Sequence, residues 1–136
     1  TEGLLILTDD GDLAHRVSHP SFELDKVYVV EARGVLSDSD RGRLEEGIML
    51  DGRPTSPARV EVLSTDHDVT RAKITIHEGR KRQVRRMFEA VGHPVKSLVR
   101  TGVGPVTLGE LRPGKWRRLS AEELTKLREA VSGRQR

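Results

Sequence analysis

The apolar positions along the chain predict short strands interrupted by helices. Residues 4–7 form a continuous apolar run, which predicts a strand buried on both faces. Apolar and polar residues alternate over 26–34 and 71–77, as in strands with one buried face. Segments 48–50 and 59–63 are predicted to be two strands joined by a turn and loop. Segment 95–101 is a further predicted strand, and 106–111 and 116–119 are predicted to be short extended pieces.

Four segments carry the signals of helices. Asp12 can cap a first helix, Ser37 opens a second that ends at Gly47, and Ser120 with Glu123 forms a capping box for the last. In the third helix, apolar residues at 84, 87, 88 and 91 share one face. Because strand pairs mix with helices without strict β-α-β alternation, the sequence predicts an α+β fold.

Composition excludes several classes of protein. A length of 136 residues predicts one domain, and no apolar run approaches the length of a membrane span, so we expect no membrane partner. The absence of cysteine excludes disulfides and thiolate chemistry and fits a reducing compartment. His15 and His19 have the spacing of a metal pair, but they lack the Glu of the zinc-protease pattern and a further ligand cluster. We therefore predict no metal site.

Charge is distributed unevenly along the chain. Residues 1–78 contain 9 Lys and Arg against 16 Asp and Glu, a net charge of −7, whereas residues 79–100 contain 7 against 1, a net charge of +6. Residues 101–136 contain 8 against 4, a net charge of +4. This asymmetry predicts a polyanionic partner on one face, most simply a nucleic acid. With four aromatic residues, a sheet that stacks successive bases is not expected.

The basic residues are densest just before the third helix. Five cations lie within seven positions: Arg80, Lys81, Arg82, Arg85 and Arg86. On a helical wheel Arg82 and Arg86 lie nearly opposite the buried face, while Arg85 flanks it. Two interpretations are open on this pattern alone. The segment is either a solvated basic helix or a surface for a polyanion with one arginine directed toward the core.

Several separated segments together resemble the ribosomal-RNA pseudouridine synthases that modify one or a few uridines. They are TEGLLILTDDGDLA at 1–14, the Lys-x-Tyr strand KVYVV at 26–30, and EGRKRQVRRM at 78–87. Residues 98–100 and 102–119 resemble the C-terminal elements of that family. Lys81 stands where the family more often has Asn, which leaves the surface positive. The resemblance implies a mixed, mainly antiparallel sheet flanked by helices, with a catalytic domain over 1–131 and a flexible tail over 132–136.

The resemblance also implies a reaction and a set of site residues. In this family uracil is detached from C1′, rotated and reattached through carbon without a cofactor. The nucleophilic Asp would lie three residues before Thr1, so we expect the chain to begin after it, without the family's small RNA-binding domain, and to be inactive alone. Arg85 corresponds to the arginine that pairs with that Asp. Tyr28 corresponds to the tyrosine that packs on the uracil and accepts the C5 proton.

The expected RNA contacts are Arg80, Lys81, Arg82, Arg86, Lys96 and Arg100. Without the Asp, Arg85 is expected to be a partly buried cation lacking its partner, with local disorder or a bound anion or water beside it. Two other functions remain open: a non-catalytic RNA-binding module of the ribosome, in which Arg85 would be exposed, and a domain that binds an acidic protein. For the enzyme we expect ribosomal RNA as partner, a monomer, and a cytoplasmic location.

Overall fold

The computed structural model describes residues 2–19 and 24–132, and its centre is one β-sheet. The strands of this sheet are β1 (Glu2–Gly3), β2 (Lys26–Arg33), β5 (Arg59–Asp66), β6 (Val69–Ile76), β7 (Val95–Val103) and β8 (Val106–Thr107). Their order is β1-β7-β2-β6-β5, with β8 paired to β7. Strand β1 runs parallel to β7, and the other described pairs are antiparallel. The predicted α+β fold with a mixed, mainly antiparallel sheet is confirmed.

Four helices lie in the described ranges: α1 (Gly11–Ser18), α2 (Asp38–Glu46), α3 (Gln83–Ala90) and α4 (Ala121–Val131). Ser37 caps α2, and Ser120 forms the predicted capping box with Glu123 at α4. Helix α1 begins earlier than predicted, because the carboxylate of Asp10, rather than that of Asp12, accepts the Leu13 N–H at 3.1 Å.

The buried side chains form two apolar clusters. The larger one joins β2, β6 and β7 to α2 and α3, and it contains all four apolar residues of the predicted α3 face, at 84, 87, 88 and 91. The smaller one joins α1 and α4 to the end of β7 and to β8, through residues such as Leu13, Val106 and Leu127. Helix α3 therefore buries the face that its sequence period predicts.

Three predicted extended segments differ from the structure. Beyond Gly3, residues 4–7 form no strand, and Leu5 and Leu7 are 70% and 84% exposed. The reason is that Leu4 and Ile6 pack against the smaller cluster, so one face of the run is partly buried and the other is exposed. The segment at 48–50 contributes strand β3 (Met49–Leu50), which pairs with β4 (Arg53–Pro54) in a separate hairpin rather than with β5. Residues 116–119 contain no strand.

No helix in the described ranges is both long and apolar enough to cross a membrane. The tail predicted over 132–136 lies, except for Ser132, outside the described residues.

Candidate active site

Tyr28 lies in the wall of a cavity of about 660 Å³ at one end of the sheet. Its strand, β2, pairs with β6 on one side and with β7 on the other, where Tyr28 faces Arg100. The β2–β7 register shifts between Val27 and Tyr28, which marks a bulge. Bulges redirect side chains and are common beside functional sites. Tyr28 is half-buried and contributes to the lining of the cavity.

The cavity is lined by apolar and cationic side chains. Residues 5–8 and α1 form one wall, and the segment 79–84 that leads into α3 forms another. The cations in the lining are Lys26, Arg80, Lys81, Arg82 and Arg100, and none of the described lining residues is Asp or Glu. Burial lowers the pKa of Lys26, and the neighbouring charge of Arg100 lowers it further, against the opposing effect of Asp25. The cavity is therefore electrostatically suited to an anionic ligand.

Three of the predicted RNA-binding arginines are engaged within the chain. Arg80 donates to the Arg53 carbonyl at 3.1 Å and also to the Leu50 carbonyl. Arg86 makes a bidentate ion pair with Asp51, with N–O distances of 2.8 and 2.9 Å.

The guanidinium of Arg100 donates twice to the Leu4 carbonyl, at 2.7 and 3.0 Å, and so ties β7 to the residues after β1. The side chains of the other three predicted RNA contacts, Lys81, Arg82 and Lys96, are exposed and make no hydrogen bond or ion pair with residues in 2–19 or 24–132. Lys81 and Arg82 line the cavity, whereas Lys96 does not belong to its lining.

Arg85 is half-buried on α3, beside the cavity residue Val84. Among the described residues its side chain has no hydrogen-bonding or ion-pair partner, so no carboxylate of the described chain pairs with it, and it does not belong to the described lining of the cavity. The structure therefore brings Tyr28 together with the cations of the 80–82 segment in one cavity, whereas Arg85 lies on α3 outside the lining of that cavity.

Two polar residues at the start of α3 were not singled out from the sequence. Gln83 is only 3% exposed, and its amide donates to Glu78 at 2.8 Å. Glu78 in turn accepts from the backbone N–H and the hydroxyl of Ser56, at 2.9 and 3.0 Å. The sequence signal was available, since a glutamine beside the buried positions of an amphipathic helix needs polar partners.

His93, His15 and His19 make contacts within the protein. His93, which received no role from the sequence, is buried between the Arg33 carbonyl at 2.8 Å and the Asp40 carboxylate at 2.9 Å. The His15 and His19 rings lie with centroids 4.8 Å apart. Within the described part of the chain, no group of three or more His, Cys, Asp or Glu side chains is arranged to hold a metal ion.

The cavity is lined by cations, has a tyrosine in its wall and is built on a mixed, mainly antiparallel sheet, so its charge is suited to a polyanionic ligand. Comparison with known proteins identifies the family. The family model for RNA pseudouridylate synthase matches residues 1–90, and the chain belongs to this family.

Individual relatives agree with this assignment. A protein of Aquifex aeolicus (strain VF5) named as an uncharacterized RNA pseudouridine synthase is 44% identical over 131 residues, which cover 96% of this chain and 53% of that protein. Ribosomal large subunit pseudouridine synthase B of Bacillus subtilis (strain 168) is 43% identical over 130 residues, or 94% of this chain and 53% of that protein.

A crystal structure of a pseudouridylate synthase is 40% identical and superposes with a TM-score of 0.85, covering 92% of this chain and 54% of the other. The chain spans about half the length of the curated relatives that it matches.

Proposed function

We propose that the protein containing this chain converts uridine in ribosomal RNA to pseudouridine, and that residues 1–131 are part of its catalytic domain. The observation that carries this proposal is Tyr28 in a cation-lined cavity of about 660 Å³, a volume typical of sites for small ligands. Family membership supports the reaction type. The name of the Bacillus subtilis relative supports ribosomal RNA as the substrate.

The proposed reaction is an isomerisation that needs no cofactor. The target uridine leaves its stack and enters the cavity. The bond from C1′ to N1 breaks, the uracil turns, and a bond from C1′ to C5 forms. C5 loses its proton and N1 gains one, so no atom is added or removed. An aspartate carboxylate, a recognised nucleophile at glycosidic carbon, holds C1′ during the rotation. We place this Asp in the segment that precedes Thr1 in the parent protein.

Tyr28 and Arg85 have separate roles in this proposal. Tyr28 packs on the uracil and accepts the C5 proton, and Arg85 pairs with the nucleophilic carboxylate and keeps it ionised. The half-buried position of Arg85, without a partner in the described chain, supports the pairing. A non-catalytic RNA-binding module would instead leave Arg85 exposed.

The cations that we assign to RNA binding have two roles. Lys81, Arg82 and Lys96 are exposed and without described partners, so we assign them to direct phosphate contacts. The remaining candidates, Arg80, Arg86 and Arg100, have hydrogen bonds within the chain and contribute positive potential near the RNA.

Ribosomal RNA from a strain that lacks the gene tests the proposal. The purified full-length protein should form pseudouridine at one or a few uridines, and the Arg85→Ala variant should form none while keeping its melting temperature within a few degrees. Arg59→Ala, an exposed arginine on β5, is the matched control and should be fully active. Normal activity of Arg85→Ala, or an unmodified RNA with the unchanged protein, would refute the proposal.

We further propose that the chain alone is inactive and that the parent protein acts as a cytoplasmic monomer. Restoring the preceding segment should restore activity, and replacing the Asp three residues before Thr1 by Asn should abolish it. Light scattering at assay concentrations should give the mass of one copy, and activity should survive dialysis against a chelator.

A further inference from the structure

A network of hydrogen bonds among Ser56, Glu78, Arg80 and Gln83, here called the polar bracket, holds the turn that leads into α3. The amide of Gln83 donates to Glu78 at 2.8 Å and accepts the Arg80 N–H at 3.1 Å, while Glu78 is fixed by Ser56. The Gln83 N–H also donates to the Arg80 carbonyl at 3.0 Å. Since Gln83 is only 3% exposed, the hydrogen bonds of its side chain have less competition from solvent than they would at the surface. The bracket therefore fixes the backbone over residues 80–83.

Within this turn Arg82 has a left-handed backbone conformation, with φ 54° and ψ 30°. Among the described residues other than glycine, positive φ occurs also at Asp51, His67 and Asp68. Asp and His adopt this region several times more readily than most residues do. Arg has no such preference, and glycine would adopt the conformation without strain. A long side chain at a strained backbone position indicates that the side chain has a function there.

The position of Arg82 provides that reason. It lines the cavity that holds Tyr28, and it is exposed. As the residue preceding α3, its side chain makes no capping hydrogen bond. Its guanidinium has no hydrogen-bonding or ion-pair partner within the described ranges, unlike those of its neighbours Arg80 and Arg86. All the donors of its guanidinium remain available to a ligand at the cavity.

We propose that Arg82 binds the phosphate of the nucleotide whose uracil enters the Tyr28 cavity, and that Glu78 and Gln83 act as positioning residues for it. The inference rests on the proposed function, because it takes an unstacked uridine of RNA as the ligand. The planar guanidinium binds phosphate oxygens through two parallel hydrogen bonds. The strained turn fixes the start of that side chain beside the cavity before RNA arrives, which reduces the entropy lost on binding.

Arg82→Gly separates this role from folding, because it removes the side chain and relieves the strained backbone together. In the full-length protein its melting temperature should equal or exceed that of the unchanged protein. Its affinity for an oligouridine strand should fall about tenfold or more. The slope of log K against log salt should become shallower by about 0.7, the value for one phosphate on a single strand. Arg82→Lys should keep most of the slope.

His67→Gly is the matched control, since it relieves a similar left-handed residue, with φ 50°, in the turn between β5 and β6. It should keep its RNA affinity and salt slope. Wild-type affinity and slope in Arg82→Gly, or an equal loss in His67→Gly, would overturn the assignment. If the unchanged protein forms no pseudouridine, the proposed function fails by itself, and the oligouridine measurements still decide the role of Arg82.

The positioning role is tested by a double-mutant cycle on RNA affinity. Gln83→Met keeps the volume of the side chain and removes its polar bonds. If Gln83 acts through Arg82, the losses of Gln83→Met and Arg82→Ala should be strongly non-additive, whereas additive losses would exclude the bracket from the proposal. Should Gln83→Met not fold, Ser56→Ala loosens the same bracket from its far end, and the same cycle applies.

Discussion

Removing the Glu78 carboxylate should destabilise the protein through the groups that it leaves unsatisfied. Glu78 accepts from the Ser56 N–H at 2.9 Å, from the Ser56 hydroxyl at 3.0 Å and from the Gln83 amide at 2.8 Å. In Glu78→Ala the buried Gln83 amide loses this acceptor, at a cost of about 1–3 kcal/mol. The half-buried Ser56 can regain water and adds about 1 kcal/mol. We expect a total of roughly 2–4 kcal/mol, which lowers Tm by about 8–15 °C.

Glu78→Gln distinguishes hydrogen bonding from charge. Its amide oxygen can accept the two bonds that now reach Oε1, and its NH₂ can donate to the Ser56 hydroxyl, so the loss at neutral pH should stay below about 1 kcal/mol. Burial by itself raises the pKa of Glu78, but the hydrogen bonds from Ser56 and Gln83 and the charge of Arg80 together lower it below 4.5.

The stability contributed by the ionised Glu78 is therefore complete above pH 4.5 and is lost as the pH falls through the lower pKa of the folded state. Urea unfolding followed by circular dichroism, at neutral pH and at about pH 3, should show this loss in the unchanged protein and a smaller one in Glu78→Gln. An equal loss in Glu78→Ala and Glu78→Gln at neutral pH would show that charge, rather than hydrogen bonding, governs the bracket.

Three further predictions concern stability. Phe88→Ala, at a fully buried position, should lower the free energy of unfolding by about 3–5 kcal/mol in urea titrations. Gly47→Ala should destabilise, because its Cβ would lie 2.5 Å from a carbonyl oxygen at φ 126°, whereas Gly42→Ala in open space on α2 should stabilise by about 0.5–1 kcal/mol. A hydrogen bond from Arg117 lowers the pKa of Glu123 to about 2, so Glu123→Gln should reduce the loss of stability between pH 4.5 and that value.

Elements with strong local signals were predictable from the sequence. Alternation placed β2 and β6, and the apolar period placed the buried face of α3. Ser37 and Ser120 marked the starts of their helices, because each side chain accepts a backbone N–H that the helix leaves unpaired. The residues that produce each of these signals lie within a few positions of one another, so a short stretch of sequence contains both partners of the interaction.

Strand neighbours were not predictable in the same way. The apolar run at 4–7 has the composition of a central strand, yet two of its residues are mostly exposed. Composition indicates what a strand can bury, whereas its actual burial depends on which elements of the fold pack against each of its faces. The same limit applies to β3, whose partner is β4 across a tight turn rather than the longer β5.

The residues that line the cavity were predictable only in part, and their geometry was not predictable. The family resemblance identified Tyr28, and the density of charge identified the segment at 80–86. The sequence did not show that the acceptors of Arg80 lie 27 and 30 residues away, or that the acceptor of Arg100 lies 96 residues away. Such contacts depend on the tertiary fold, as does the left-handed conformation of Arg82, which helical periodicity had placed inside the helix.

This division among the cations determines how the protein should respond to salt. The salt slope of RNA binding counts the phosphates that cations neutralise. A guanidinium whose donors already bind Asp51 or backbone carbonyls must give up those bonds to reach a phosphate, whereas Arg82 and Lys81 give up contacts with water alone. Positive charge density around the cavity therefore overstates the number of phosphate contacts. We therefore expect the phosphate contacts of the proposed RNA complex to come from the cations that the fold leaves without partners, and the paired arginines to maintain the shape of that surface.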